Sequence, residues 1–479
     1  MRGSGRFSLY ALLAVVMTTL AAGRGAADEI DVRAIFDDLA GNDSIFQSLK
    51  DQQAGELQYS VGGELRHRFM NEDNRLRPAG GNAEYSLWRF TPWLKMQHNR
   101  VGGFVQAIDA SAFTEGDAPY TPVPIDVNRF DFLRYYAQIR LYEECGTTID
   151  YRYGRQFLKY GGQRLLSPLA WGNTFRNFEG HKFIYQSGHW SADAFMMKSV
   201  NAAAGGDGFG VTSLDRPDED RWISGLWTTY SGFEQSTVDL YALYFNERNE
   251  SFDTGMGTFN RMDGERYTIG ARVAGQQPIS ECGTVVGTWT WDLEAAYQFG
   301  NDKFGTDPRN RNVSAGMATA VVGYVFNEAR WSPGISGFYY WSSGDSDPTS
   351  GDINTFFTMY PLGHAYWGLI DNFSGQNLQD IGVTLTAKPH EKLSLAATWH
   401  VFDKSSAGGN VYNIAGAPIP SSASSDIGQE LDLVGTIPVS SNFNIQAGYF
   451  WFFYGDAINS GPAARPDARQ FYVQTTWKF

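Results

Sequence analysis

The chain has 479 residues, of which 15% are aromatic and 53 are glycine, and its formal net charge at pH 7 is −14. This acidic balance argues against a nucleic-acid-binding protein, which needs a basic face. The sequence contains no Gly-x-Ser-x-Gly elbow, His-Glu-x-x-His pair, Walker loop or Cys-x-x-Cys pair. We therefore expect neither a catalytic site nor a cofactor.

The N-terminus has the pattern of a secretory signal, predicted for residues 1–27. Arg2 and Arg6 precede an apolar stretch, and Gly25-Ala26-Ala27 offers small residues for cleavage. Residues 28–57 follow as a periplasmic N-terminal segment whose apolar residues recur at roughly helical spacing. Two interpretations of this segment stay open, a helix packed under a barrel mouth and a loosely held extension.

Residues 58–479 predict an all-β fold, a transmembrane antiparallel β-barrel of about 18 strands. Most segments alternate apolar and polar residues, as a wall between lipid and water requires. The predicted strands cover residues 58–71, 83–97, 102–111, 129–142, 147–158, 177–186, 189–200, 220–231, 235–247, 262–274, 284–299, 313–326, 334–343, 376–388, 392–403, 426–437, 442–455 and 467–479.

The connections between these strands alternate in length. Every second one is a short turn, such as residues 98–100 or 186–188, and the others are long and rich in Gly, Pro, Asp and Ser. Outer-membrane barrels have short periplasmic turns and long external loops. If the chain is a porin for small solutes, long loops folding inward, especially residues 159–176 or 344–375, would set its size limit.

The last strand predicts how the barrel closes. Phe471, Val473, Thr475 and Trp477 share one face, and the chain stops at the aromatic Phe479. A bare terminal strand would aggregate in a soluble protein, whereas in a barrel it pairs with the first strand. Phe479 resembles an end signal for the barrel-assembly machinery, so we expect that partner and outer-membrane lipid around the wall.

Charged residues on the face opposite the lipid are the candidate substrate path. A charge facing lipid would cost roughly 2–4 kcal/mol at the midplane, so these side chains should point into the lumen. In the fourth strand, Arg134, Tyr136, Gln138 and Arg140 are predicted inward, with Leu133, Tyr135, Ala137 and Ile139 outward. The candidates are Arg66, Arg89, Arg134, Arg152, Arg155, Arg266, Arg272, Glu430 and Asp432.

Two interpretations of these charges stay open. Arginine binds carboxylates through two parallel hydrogen bonds, so an arginine column favours an anionic solute. Alternatively, the inward arginines pair with inward acids, which would brace the barrel and leave a weakly selective lumen.

The two cysteines occupy the same local setting. Cys145 and Cys282 each stand in a Glu-Cys-Gly turn before a strand, and the turns are six predicted strands apart. That distance, roughly 25–30 Å across a large barrel, exceeds the reach of a disulfide. A bond would require one turn to fold across the opening.

Several motifs resemble the alginate-export family of outer-membrane barrels. They are Arg152-Tyr-Gly-Arg-Gln156, Ala170-Trp171, Phe175-Arg-Asn-Phe-Glu-Gly180, Asp426-Ile-Gly-Gln-Glu-Leu-Asp-Leu433, Gly455-Asp-Ala457, Arg89 before Pro92-Trp93, and Arg134 before Tyr135-Tyr136. The resemblance implies an eighteen-stranded monomer that exports an acidic polysaccharide through a constricted, arginine-lined pore. Arg89, Arg134, Arg152 and Arg155 match the first half of that lining. The second half departs from that lining. Residues 361–380 contain no arginine or lysine and only His364, and the seventeenth strand has Asn442, Asn444 and Gln446 in place of basic residues. A less positive pore is therefore expected on this side.

The expected function is therefore a passive outer-membrane channel for export of an anionic, alginate-like polysaccharide. The alternative is a general or small-solute-specific porin, whose partner would be a small anionic solute. An outer-membrane enzyme or adhesin is disfavoured by the missing catalytic motifs. We expect no metal site.

Overall fold

The structure is a computed structural model that describes residues 50–76, 81–115, 120, 122–201, 214–247, 251–253, 258–260, 264–303, 310–347 and 351–479. The predicted signal peptide and residues 28–49 of the predicted N-terminal segment lie outside these residues. Within them, no helix is both long and apolar enough to cross a bilayer.

Eighteen antiparallel strands form one closed sheet, which confirms the predicted fold and strand number. β1 and β2 are each interrupted once, so their bounds are given in two parts. The strands are β1 (Leu57–Gly62, Glu64–Asp73), β2 (Ala83–Phe90, Trp93–His98), β3 (Val101–Thr114), β4 (Asn128–Glu144), β5 (Thr147–Gln156), β6 (Phe178–Ser187), β7 (Trp190–Asn201), β8 (Arg216–Tyr230), β9 (Ser236–Glu247), β10 (Gly264–Glu281), β11 (Thr284–Asp302), β12 (Arg311–Phe326), β13 (Gly334–Ser342), β14 (Leu378–His390), β15 (Leu393–Lys404), β16 (Asp426–Pro438), β17 (Phe443–Tyr454) and β18 (Ala468–Lys478).

The described chain also contains a few short elements outside the wall. Gln52–Ala54 pairs with the start of β1, and two small hairpins and two short helices lie in the connections. These are Ser251–Asp253 with Thr258–Asn260, Val411–Tyr412 with Pro418–Ile419, the 3₁₀ turn Gly363–Ala365 and the helix Asp456–Asn459.

The last strand closes the barrel on the first, as predicted. Residues 469–478 of β18 pair with residues 64–73 of β1. Phe479 continues the ladder, because its N–H donates to Gly63 O at 3.1 Å and its carbonyl accepts from Gly63 N at 3.0 Å. No strand edge is left unpaired at this junction, which meets the requirement that lipid imposes on the backbone.

Side-chain alternation places apolar residues outside. Leu226, Leu240 and Ile269 on β8 to β10 are each about half exposed, at 48%, 52% and 51%. In β4 the predicted alternation breaks at one residue. A register shift between Arg134 and Phe132 turns Leu133 inward, where it is buried with Ile108 and Ala110. The prediction that Leu133 faces outward was wrong because a bulge shifts the two-residue period.

The connections follow the predicted alternation of short turns and long loops. Cys145 and Cys282 lie in two of the short turns, and both thiols are exposed and unbonded. Both residues have positive φ, +48° in each case, and a glycine with positive φ follows each of them. The two cysteine turns therefore share one backbone geometry and do not reach each other.

Candidate functional site

Two of the long connections pack inside the barrel, and we call them inner loop A (residues 157–177) and inner loop B (residues 343–347 and 351–377). They pair with each other in parallel across the lumen. Ser167 N donates to Tyr360 O at 2.8 Å, and Tyr360 N donates to Leu165 O at 2.9 Å. Leu362 N donates to Gln163 O at 2.9 Å. The inward folding that the porin alternative predicts for residues 159–176 or 344–375 thus occurs in the described residues of both segments.

Inner loop A is held against β1 and β2 by arginines that the sequence places in the lumen. Arg66 donates to the carbonyls of Ala170 and Trp171 at 3.1 Å and to that of Gly172 at 2.7 Å. Arg89 donates to Gly172 O at 2.8 Å, and Arg68 to Trp171 O at 2.9 Å. The three arginines are only 2–3% exposed.

These three arginines therefore bind protein backbone and are covered by it. Arg89 also forms an ion pair of 2.5 Å with Glu64, and the guanidinium of Arg68 lies 3.4 Å from the ring centre of Trp171. Neither interpretation of the sequence anticipated this arrangement. Backbone carbonyls carry no sequence signal, so the partners of Arg66 and Arg68 appear only in the folded chain.

Inner loop A also reaches the opposite wall. Arg164 donates to Glu294 at 2.8 Å and to Asp292 at 3.2 Å, both on β11. Tyr160 donates to Asp193 on β7 at 2.8 Å and stacks on Phe195 and Trp227. The loop thus bridges the barrel from β7 and β11 to β1.

Inner loop B is held by the acids of β16. Ile370 N donates to Glu430 Oε1 at 2.8 Å, and Leu369 N donates to Asp432 Oδ2 at 3.3 Å. Gly368 has φ +84°, and a Cβ there would lie 2.4 Å from Glu430 Oε2. Only glycine fits at this point without displacing the loop.

A buried chain of polar groups continues from β16 to β14. His400 Nδ1 lies 2.9 Å from Asp380 Oδ2, and His400 Nε2 lies 3.6 Å from Asp432 Oδ2. All three residues are buried. Within the described chain no group of three or more His, Cys, Asp and Glu side chains is arranged to hold a metal ion.

Two of the predicted lumen arginines are ion-paired inside the barrel. Arg272 bonds Asp292 at 2.8 Å and Asp239 at 3.1 Å, and Arg266 bonds Asp302 at 2.8 Å. These contacts follow the bracing interpretation, in which inward arginines neutralise inward acids.

Arg155 lies elsewhere. It pairs in register with Tyr135, which faces outward, and it donates to the carbonyls of Phe132 and Asp215 and to the carboxylate of Glu179. The prediction that Arg155 faces the lumen was wrong, because the alternation of β5 continues unbroken through Gly154 and puts Arg155 on the outer face.

Arg134 and Arg152 have a different environment. Arg134 Nε donates to Gln106 Oε1 at 2.7 Å, and Arg152 donates to Gln138 Oε1 at 2.9 and 2.6 Å. Both are partly exposed, and within the described chain neither has a carboxylate at ion-pair distance. We call the four residues Gln106, Arg134, Gln138 and Arg152 the cationic strip.

Aromatic rings support both guanidinium groups of the cationic strip. Arg134 lies 4.6 Å from the ring centre of Phe104 and 4.3 Å from that of Phe157, and Arg152 lies 4.2 Å from that of Tyr136. Such contacts favour the charged form of arginine without neutralising it. The strip therefore keeps its positive charge.

Lys182 is a further inward cation beside the strip, neutralised by an acid, and sequence reasoning missed it. It faces Arg152 across the β5–β6 ladder and forms an ion pair of 2.5 Å with Asp193. Successive side chains of a strand point to opposite faces, so Lys182 lies on the face opposite to that of His181 and Phe183. This alternation is the signal that could have identified it.

The wall formed by β14 to β18 has neutral inward groups toward the short turns. Inward hydroxyl and amide groups there bond one another, as in Thr384 with Thr398 at 3.1 Å and Gln446 with Thr436 at 3.1 Å. Gln474 accepts from Arg68 at 2.7 Å. These neutral groups agree with the low positive charge that the sequence predicts for the second half of the lumen.

Comparison with known proteins gives one family and one fold. The sequence model described as alginate export matches residues 57–471. No curated protein sequence matches the chain.

Solved structures from Pseudomonas aeruginosa share the fold at low sequence identity. OpdK, solved with vanillate, has 10% identity and a TM-score of 0.56, with 88% of this chain and 98% of OpdK covered. OpdO has 13% identity and a TM-score of 0.55, with 88% and 97% covered. OccK11 (OpdR) has 12% identity and a TM-score of 0.53, with 91% and 99% covered.

Proposed function

Because the chain belongs to the alginate export family and is an outer-membrane channel, we propose that it exports an anionic, alginate-like polysaccharide by passive diffusion. The family and the fold are those of transport channels, and the proposal includes no catalytic step. The carboxylates of the polymer would be the groups that the lumen recognises.

The cationic strip is the observation that carries this proposal. Arg134 and Arg152 are held by neutral amides and aromatic rings, so their charge is available to a carboxylate that enters the lumen. A guanidinium group offers two parallel donors to such a carboxylate. The contact lowers the free-energy cost of moving an anion out of bulk water.

Release is as necessary as entry, and neighbouring acids support it. Asp193 binds Lys182, and Asp150 binds Arg140 next to the strip. Conduction requires binding that is favourable enough for entry and weak enough for exit. The acids would limit the affinity for a polyanion.

The proposal assigns solute contact to a smaller set than the sequence predicts. Arg134 and Arg152 would bind the solute directly, with Lys182 beside them. The other predicted residues would hold the inner loops or brace the wall, namely Arg66, Arg89, Arg155, Arg266, Arg272, Glu430 and Asp432.

A second candidate function is a porin for small anionic solutes. It is favoured by inner loops A and B, which cross the lumen and pair there. OpdK was solved with vanillate, a small carboxylate. A channel of this kind would use the same strip but would exclude polymers.

The test is conductance of the purified protein in planar bilayers. Reversal potential under a KCl gradient gives the ion selectivity, and block by uronate oligomers is compared with block by neutral oligomers of equal length. The variant Arg134→Gln/Arg152→Gln removes the charge of the strip. Arg129→Gln is the control, because Arg129 is an exposed arginine of β4 paired with Asp109.

We expect anion selectivity and uronate block, both lost in the double variant and kept in the control. Block by single uronates, with no effect of longer oligomers, would favour the small-solute porin. Cation selectivity, or equal block by neutral and acidic oligomers, would contradict both.

The remaining partners are part of the proposal. We propose a monomer surrounded by outer-membrane lipid and assembled through recognition of Phe479. In the folded barrel the Phe479 ring stacks on Phe90, with centroids 6.0 Å apart. The assembly machinery would therefore bind this residue before the barrel closes.

A further inference from the structure

The contacts that hold the inner loops to the wall differ in kind from the contacts between the loops. On the wall side, buried charged groups bind backbone, as Arg66 does with inner loop A and Glu430 with inner loop B. Separating a loop from its wall would leave a buried charge without its hydrogen bonds. That cost is several times the cost of exposing neutral groups to water.

The contacts between the two loops are mostly neutral, and we call this contact the seam. It consists of the backbone hydrogen bonds between residues 163–167 and 360–362 and two side-chain hydrogen bonds. The guanidinium of Arg164, 4.5 Å from the ring centre of Tyr366, and the stacking of Trp171 on His364 complete it. Tyr366 OH donates to Gly162 O, and Arg176 donates to Pro361 O at 3.1 Å. When the seam separates, water can replace the partners of the amides and the hydroxyl.

Asp371 joins both loops at the end of the seam. Its Oδ2 accepts from Trp171 Nε1 at 2.9 Å and lies 3.0 Å from His364 Nδ1. Arg75, two residues beyond the end of β1, donates to the backbone carbonyl oxygen of Asp371 at 3.3 Å. His364 belongs to the same loop as Asp371, so separation of the loops would keep their contact and remove the Trp171–Asp371 hydrogen bond and the stacking of Trp171 on His364.

Left-handed backbone conformations occur on both sides of the seam. Three non-glycine residues there have left-handed φ, namely Gln163 at +62°, Leu169 at +53° and Met359 at +56°. Side chains with a Cβ are disfavoured in this region. Strained residues of this kind mark segments with more than one accessible arrangement.

We infer that the seam is a gate, in which inner loops A and B separate while each stays on its own wall. Separation along the seam removes one hydrogen bond each from the charged side chains of Arg176 and Asp371. Separation of inner loop A from its wall would instead remove the bonds of Arg66, Arg68, Arg89 and Arg164. The strained residues beside it favour the separation, and the Trp171–Asp371 bond opposes it. This inference concerns opening of the channel and does not depend on which solute passes.

A reversible cross-link tests the gate. In a Cys145→Ser/Cys282→Ser background, Gln163→Cys/Leu362→Cys places two thiols at residues that share a backbone hydrogen bond across the seam. KCl conductance of single channels is recorded after oxidation and again after dithiothreitol. We expect oxidation to suppress the large-conductance state and reduction to restore it in the same protein.

A second variant weakens the seam without introducing a cross-link. Tyr366→Phe removes the hydroxyl that bonds Gly162 and keeps the ring over Arg164. Loss of one neutral hydrogen bond predicts an open probability about two- to tenfold higher. Thr384→Val, which removes a hydroxyl from the wall away from the loops, should leave the open probability unchanged.

Equal conductance before and after reduction would overturn the gate, as would a cross-linked protein that is silent in both states. The result is separable from the proposed function. Arg134→Gln/Arg152→Gln changes selectivity but should keep the response to oxidation, so loss of anion selectivity and loss of gating are independent outcomes.

Discussion

Trp171 of inner loop A stacks face to face on His364 of inner loop B, with ring centroids 3.6 Å apart and planes 8° apart. The same indole donates to Asp371 and lies over the guanidinium of Arg68. One tryptophan thus contacts the arginine wall on one side and the second inner loop on the other.

The arginines of β1 should stabilise inner loop A. Arg66→Gln removes one of the two arginine donors to each carbonyl of residues 170–172, together with the donor to Asn173 Oδ1. We expect the barrel to lose about 2 kcal/mol, because hydrogen bonds from a charged donor are worth roughly 1.5–3 kcal/mol. Trypsin should then cleave at Arg164 or Arg176 in folded protein, as followed by mass spectrometry and by the temperature at which the band shifts on a gel.

Lys95→Gln is the control for Arg66→Gln, because Lys95 is an exposed cation of β2. It should change neither cleavage nor thermal stability. Equal protection of inner loop A in the Arg66 variant would show that the hydrogen bonds to the backbone do not hold it.

Gly368 should tolerate no side chain. Gly368→Ala adds a Cβ that would lie 2.4 Å from Glu430 Oε2, in addition to the strain of φ +84°. We expect inner loop B to shift away from β16 at a cost of about 2 kcal/mol. Hydrogen exchange should show faster exchange of the Leu369 and Ile370 amides.

Gly351→Ala separates strain from steric conflict. Gly351 lies in the same loop with φ +67°, and a Cβ there meets no atom within 4 Å. It should cost about 1 kcal/mol through strain alone and leave those amides protected. If both variants behave alike, the contact with Glu430 is not decisive.

Because Asp371 joins the two inner loops, we expect their contact to weaken only at a pH below the ordinary pKa of a carboxyl group. Burial would raise the pKa of Asp371, but His364, Arg75 and the hydrogen bond from Trp171 hold that pKa below the ordinary value of 3.8. Of these contacts, the Trp171 bond is the one that crosses between the loops. A lowered carboxyl pKa contributes stability that is present above 3.8 and is lost as the pH falls through the lower folded value. Arg68 and Glu430 also face this carboxylate.

We therefore expect conductance to stay constant from pH 7 to about pH 5 and to rise below about pH 4. Asp371→Asn should remove the part of this rise that comes from the loop contact. Asp352→Asn makes the same charge change at an exposed position of inner loop B and should keep the rise. Identical acid responses in the two variants would exclude Asp371 as the titrating group.

The cysteine turns give a test of membrane orientation. Cys145 and Cys282 are exposed and unbonded in short turns, which face the periplasm in outer-membrane barrels. An impermeant maleimide should label both thiols only after the outer membrane is permeabilised. A mobility change on reduction of the unlabelled protein would indicate a disulfide and contradict the structure.

The sequence alone determined the wall of this protein. Strand number, strand faces and the alternation of short and long connections depend on local patterns, because side chains alternate with a period of two and lipid tolerates no charge or unpaired edge. The errors are local too. The bulge at Leu133 and the outward Arg155 depend on backbone geometry that residue types do not reveal.

Tertiary structure decided what the inward charges do. Arg66 and Arg134 are both inward-facing arginines in strands of similar pattern. Arg66 binds the carbonyls of residues more than a hundred positions away, whereas Arg134 binds Gln106 on the neighbouring strand β3. Backbone carbonyls are identical in every residue, so no sequence pattern marks the ones that an arginine will bind. Only the path of inner loops A and B through the lumen separates the arginines that hold the fold from those left to meet a solute.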